Sequence, residues 1–203
     1  MQQNILTFPS SLCFKGGRNY LHGTDIVWSL MCSLDSLAQV KLDIKFHGIS
    51  HHQLRWIEVD EVELDEAAKV TGVLELKDKK VRFKFLESDM PVTCKNYYDE
   101  SAIVASCDVN LQNRAIILTR SVNANVIEKI VAMQKSLLQS LFPDIVGKWY
   151  FTRLEVSDLG ALSLASGQLE LKFIKNFNFR LTKSDIFFGQ KHLASIYFSL
   201  VKD

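Results

Sequence analysis

Charge of one sign is not in excess in this chain: 24 Lys and Arg stand against 23 Asp and Glu, a formal net charge of +1. A protein that tracks nucleic acid or an anionic membrane normally carries a basic block. The most basic stretch, Lys77 to Lys84 (KDKKVRFK), alternates with apolar residues. That alternation predicts a hairpin with one solvated face, so neither nucleic acid nor a membrane is expected as a partner. Proline (three) and glycine (nine) are scarce, which argues against long disordered linkers. No run approaches the ~18 apolar residues that would span a bilayer. The N-terminal MQQNILTFPSSLCF lacks a charged region and a long apolar core, so no signal peptide is expected. The four cysteines, Cys13, Cys32, Cys94 and Cys107, show no C-x-x-C spacing. Free, mostly buried thiols in a cytoplasmic protein are the expectation.

What the chain has is core material. Of 203 residues 47% are hydrophobic, with 13 Phe, five Tyr and three Trp, enough for one large domain or two small ones. Residues 4–14 read as an extended segment broken by Pro9, followed by a loop. Thr24 or Asp25 can cap a helix, because a short side-chain oxygen accepts an orphan first-turn N–H. Ile26, Val27, Leu30, Met31, Leu34, Leu37 and Ala38 then keep helical spacing to Gln39. Alternation predicts strands over 40–50, 53–64, 68–77 and 80–87, the last two as a hairpin around Asp78 and Lys79. The polar segment 88–100 with Pro91 is the best internal boundary. Beyond it, 101–119 reads as extended. Residues 123–142 form a second helix stopped by Pro143. Strands are expected over 147–157, 167–175, 177–188 and 191–201.

Helix followed by four strands thus occurs twice. LDSLAQ (34–39) also parallels QKSLLQ (134–139) at an offset of 100, as an internal repeat would. The expected class is α+β: two tandem hot-dog units, each a long helix wrapped by antiparallel sheet, forming a double hot-dog. The units span 1–90 and 101–203, with 91–100 as linker.

The stretch HGTDIVWSLMCSLDSLAQ (22–39) resembles the motif of the 3-hydroxyacyl-acyl-carrier-protein dehydratases, in which a histidine precedes the helix and an acid lies within it. DIKFHGIS (43–50) is similar to the strand that follows in that family. The resemblance covers residues 20–87. It implies an acyl-CoA or acyl-carrier-protein thioester as ligand, a lyase of fatty acid or polyketide biosynthesis, no cofactor, an acyl carrier protein as partner and self-association as a further arrangement. The catalytic candidates are His22 and Asp35. The candidates for substrate binding are Gly23, Thr24, Trp28 and Lys135. Thioesterase of the same fold, and a non-catalytic binding or structural subunit, are the alternatives.

The chemistry suits these residue types. Dehydration needs a base for the α-proton and an acid for the leaving hydroxyl, and burial moves both pKa values toward working pH. A helix N-terminus carrying Thr24 would stabilise the developing enolate. There are departures. The loop after His22 lacks the family's proline, and the His22-to-Asp35 spacing is about one residue short of the family pattern. In the family the histidine of one unit works with the acid of the other. By the repeat, His22 would face Lys135 and Asp35 would face Val122, so neither composite site holds a complete pair. A loop histidine bonded to backbone and a helix-edge aspartate are the plain alternatives. His47, His51 and His52 read as a solvated turn, since a closed metal site needs three or four converging ligands. Cys32 reads as a buried thiol, and Gly16-Gly17 is too short for a phosphate loop.

Overall fold

The computed structural model describes residues 11–60, 67–164 and 167–202. Its frame is a ten-stranded antiparallel sheet. The first unit supplies helix α1 (Gly23–Cys32) and strands β2 (Lys41–Phe46), β3 (His52–Val59), β4 (Ala68–Leu76) and β5 (Lys79–Pro91). The second supplies β7 (Cys107–Asn110), β8 (Ala115–Leu118), helix α3 (Val126–Leu141), β9 (Lys148–Val156), β10 (Leu169–Phe177), β11 (Leu181–Phe188) and β12 (Lys191–Val201). The expected order, helix then four strands, occurs in each. A separate two-stranded parallel pair joins β1 (Phe14–Lys15) to β6 (Lys95–Asn96).

The units share one sheet through β2 and β9. Their antiparallel register sets Leu42 against Val156 and Ile44 against Leu154. All four side chains are buried, each stabilising the seam by roughly 1.5–3 kcal/mol relative to exposure. The opposite face pairs Asp43 with Glu155, and directly opposed like charges are unfavourable. Arg153 bridges them, with two bonds of 2.8 Å to the Asp43 carboxylate and a 2.5 Å contact to Glu155. Outward from the seam the strands run β2-β4-β5-β3 on one side and β9-β12-β11-β10-β8-β7 on the other. Two helix-plus-sheet units fused along one continuous sheet are the double hot-dog arrangement. The units are not copies, because β4 returns to the seam in one and β12 in the other.

α3 forms where its apolar stripe predicts. Asn125 accepts from the Glu128 N–H and Glu128 accepts from the Asn125 N–H, both at 2.9 Å, a reciprocal cap. Ile127, Ile130, Val131, Leu137 and Leu138 are buried, and the helix stops at Phe142 before Pro143.

α1 departs from expectation. It ends at Cys32 rather than near Gln39. The Ser33 hydroxyl bonds back to the Ser29 carbonyl at 2.7 Å, and such local side-chain bonds compete with helix continuation. The next backbone groups are taken by the second unit. Helix α4 (Leu159–Ser163) donates Gly160 N–H to Leu37 O and Leu159 N–H to Val40 O, both at 2.8 Å. A Cβ on Gly160 would stand 2.9 Å from the Ala38 Cα, so only glycine allows this approach. LDSLAQ is therefore a loop while QKSLLQ lies within α3, and the letter match joins stretches of different structure. α4 itself, and helix α2 (Glu100–Val104) where an extended segment was expected, form behind aspartate caps: the Asp99 carboxylate accepts from Ala102 N–H and Asp158 from Ala161 N–H.

The expectation of free thiols is corrected. Cys13 and Cys94, whose Cα atoms lie 4.8 Å apart, are disulfide-bonded, because the β1–β6 pairing brings their neighbouring residues together. A bonded pair is the state favoured by oxidising compartments. Cys32 is exposed rather than buried. Among the described residues no helix is long and apolar enough to cross a membrane.

Candidate functional site

The residues singled out by the dehydratase resemblance do not come together as that motif requires. His22 is the N-cap residue of α1. Asp35 lies beyond the helix in an exposed bend. What His22 meets instead is a polar centre built from both units where α1, α2 and α3 approach one another.

Lys15 is its core. Although charged, it is only 2% exposed, and Lys is almost never fully buried unless paired. Its ammonium donates to the Asp25 carboxylate, to Glu128 at 2.6 Å and to the Thr24 hydroxyl at 3.3 Å. Asp25 sits in the first turn of α1 and Glu128 in the first turn of α3, each where a carboxylate complements the helix dipole. One ammonium thus ties the two helix N-termini together. Burial pushes the Asp25 carboxyl above its ordinary range, and Lys15 opposes the rise. Its second oxygen is buried without a partner.

Thr24 is fully buried, with its hydroxyl 2.7 Å from His22 Nδ1. That oxygen also accepts from Lys15, so the hydroxyl links the ammonium to the imidazole. The half-buried His22 is held neutral: burial first, then the charges of Arg18, Lys15 and Lys135, lower its pKa from 6.5 to about 3. The charge of Lys135 is felt at His22, but its ammonium is bonded to Glu100 at 2.9 Å. Arg18 takes the other Glu100 oxygen at 2.8 Å. The two cations hold the Glu100 carboxyl below its ordinary range despite the opposing effect of burial. The ring of Tyr98 covers the group, its centroid 5.9 Å from the His22 ring, 5.1 Å from the Lys15 ammonium and 5.3 Å from the Arg18 guanidinium.

Gly23 opens α1 against aromatic rings: a Cβ there would lie 2.9 Å from Phe151 and 3.3 Å from Phe46. Trp28 packs, half-buried, against the core. Among the groups the sequence reading passed over, Lys15 and Glu128 matter most. A lysine beside a Gly-Gly step, and a glutamate at the third position of a capped helix, each have an ordinary solvated reading in sequence. Only tertiary contact pairs them across 113 residues.

The rest of the molecule offers less chemistry. His47 bonds Thr71, His51 bonds the Asn19 carbonyl and His52 approaches Glu87. The three serve separate partners, and no metal-binding cluster occurs among the described residues. Ser195, Asp185 and His192 have the residue types of a nucleophilic triad in an unproductive order, since both Ser195 (2.7 Å) and His192 (3.5 Å) address the same Asp185 oxygen. One cleft of about 430 Å³ lies between Gln39, Gly160, Phe188 and Lys191. Another of about 420 Å³ lies on the outer sheet face beside Lys45, Thr71 and Arg82. Neither is lined by His22 or Asp35.

No family model matches the chain, and no curated protein matches it. Solved structures do resemble it at low identity. The tesB protein of Mycobacterium avium subspecies paratuberculosis has a TM-score of 0.45 and 9% identity, over 93% of this chain and 91% of that one. A conserved hot-dog protein of Alicyclobacillus acidocaldarius has a TM-score of 0.42 and 8% identity, over 91% and 89%. An inactive variant of the CurK dehydratase has a TM-score of 0.44 and 8% identity, over 91% and 85%. Likeness at this level says nothing of chemistry, and the hot-dog assignment rests on the strand order and helix placement of this chain.

Proposed function

We propose that this protein is a double hot-dog that binds an acyl thioester, or a partner in an assembly that handles one, without turning it over. The ligand class comes from the resemblance of residues 20–87 to dehydratases, and the absence of turnover comes from the geometry. One observation carries that second part: the ammonium of Lys15 fills the junction of the α1 and α3 N-termini beside His22 and engages both nearby carboxylates.

A dehydratase needs an imidazole able to take an α-proton near neutral pH. His22, held neutral down to about pH 3, is too weak a base. It also needs a carboxyl to protonate the leaving hydroxyl. Asp35 stands in solvent beyond the helix, while Asp25 and Glu128 are committed to Lys15. A thioesterase needs a carboxylate or imidazole free to activate water, and the same commitments stand against it.

The test is incubation with 3-hydroxydecanoyl-CoA, trans-2-decenoyl-CoA and decanoyl-CoA, read by mass spectrometry, beside native mass spectrometry of the protein with decanoyl-CoA. The expected result is a bound complex with neither water loss nor hydrolysis above the protein-free blank. Turnover that His22→Ala abolishes would overturn the non-catalytic reading. Absence of any complex would remove the acyl-thioester ligand.

A further inference from the structure

The cover over His22 is held in an unusual way. Tyr98 lies in the segment between the end of β5 at Pro91 and Asp99, whose carboxylate caps α2 at 2.9 Å. Lys95, Asn96 and Tyr97 in that segment are exposed. Its backbone ties to the rest of the molecule are the two-residue pairing with β1, through Phe14 N–H to Cys94 O and Gly16 N–H to Asn96 O, both at 3.0 Å. The covalent tie is Cys13–Cys94. Tyr98 gains contact with His22, Lys15 and Arg18, but its hydroxyl is buried with no hydrogen-bond partner, and a buried orphan hydroxyl is unfavourable. The docked position therefore satisfies the ring and not the hydroxyl. The Cys13–Cys94 bond tethers the same segment, at the fourth residue before Tyr98.

We propose that Cys13–Cys94 is a redox latch: bonded, it holds residues 93–98 as a lid with Tyr98 over His22, and reduced, it lets the lid swing out and expose His22 and Thr24. The chemistry balances with a dithiol reductant. Two electrons and two protons pass from the dithiol to the Cys13–Cys94 bond, giving two thiols, and the dithiol becomes a disulfide. The opposite strand of the pair stays put, because Lys15 remains bound to Asp25 and Glu128, and because Gln53 holds Leu12 through bonds of 2.7 and 2.8 Å. The lid side is anchored at Val92, which packs against the core, and at Asp99, which caps α2. Access to His22 would thus follow the thiol redox state of the surroundings, whatever binds beneath.

The test compares the oxidised chain with the same chain in dithiothreitol, and with Cys94→Ser. Amide hydrogen exchange reads the lid, and an NMR titration of the His22 ring, assigned with His22→Gln, reads the pocket. Reduction should raise exchange in residues 93–98 while α3 and the sheet stay protected. It should also raise the proton affinity of His22 roughly tenfold or more, from its midpoint of about 3 toward the ordinary 6.5. Oxidised Tyr98→Ala should reproduce the His22 change without any reductant. If the reduced, folded chain keeps 93–98 protected and His22 unaltered, the bond is a staple and the latch is refuted. If reduction or Cys94→Ser unfolds the sheet, the bond is a requirement of the fold and the latch is equally refuted.

Discussion

Replacing Lys15 by methionine keeps an unbranched apolar stem, one atom shorter, and removes its charge. The Lys15 side chain is 3% exposed, and those of the acids it serves, Asp25 and Glu128, are 16% and 15% exposed. Breaking a buried ion pair by deleting one partner costs ~3–5 kcal/mol, because the other charge is left uncompensated. Both carboxylates keep some contact with water, so the lower end, ~3 kcal/mol, is expected for Lys15→Met. In a chain of this size each kcal/mol moves the melting temperature by about 2–4 °C, which gives a fall of roughly 6–12 °C. Urea unfolding followed by circular dichroism measures the free energy, and a thermal scan the midpoint. The deficit should shrink as pH falls, since protonated carboxyls need no counter-ion and burial already raises that of Asp25. The triple variant Lys15→Met, Asp25→Asn, Glu128→Gln should recover most of the loss, as neutral replacements of buried ionic groups often do. A deficit below ~1 kcal/mol, the range of an exposed ion pair, would refute the view that Lys15 is the electrostatic centre joining the two units.

Three further outcomes follow from particular contacts. Gln134 is fully exposed to neither water nor a partner: it is completely buried and neither amide atom is hydrogen-bonded, so Gln134→Leu should stabilise the chain by about 1–3 kcal/mol, measured by urea unfolding, and a loss would mean that the amide has a partner. Glu87 accepts from the His51 and His52 N–H groups at 2.6 and 2.9 Å and from Ser50 at 2.9 Å; burial opposes ionisation, yet these donors and Lys69 bring its pKa from 4.5 down to about 2. Its contribution to stability is therefore complete above about pH 4.5 and lost as pH falls through 2, so the stability gap between wild type and Glu87→Gln should close over that window in acid titrations. Gly160→Ala should cost roughly 1–3 kcal/mol by overpacking, because its Cβ would press on the backbone at Leu37 and Ala38, at 3.0 and 2.9 Å; thermal melting within a degree of wild type would contradict that close approach.

Much of the architecture was legible because it depends on period alone. The alternation in LELKFIK marks β10, and the stripe from Ile127 to Leu138 marks α3, since burial on one face imposes a repeat of two or of three to four residues. α1 was legible in kind but not in extent. Leu34 and Leu37 keep helical spacing, yet the Leu37 and Val40 carbonyls accept from α4, and nothing local in LDSLAQ announces a partner in that distant helix. The site was less legible than the fold. His22 and Thr24 are placed by sequence at the start of α1, and that much survives. Asp35 does not reach them, because the helix that was to carry it stops at Cys32.

The sequence by itself determined the α+β class, the two helix-plus-four-strand units and the place of His22 just ahead of a helix, because these follow from side-chain period over a few consecutive residues; the Thr24 or Asp25 cap does not form, since His22 is the N-cap residue. Tertiary structure alone decided which groups surround that histidine. Lys15 meets Glu128, Arg18 meets Glu100 and Cys13 meets Cys94 across separations of 113, 82 and 81 residues. Those meetings are set by how the two sheets fuse at β2 and β9 and how the helix N-termini converge beneath Tyr98, and no local pattern of residues encodes a charge's distant partner.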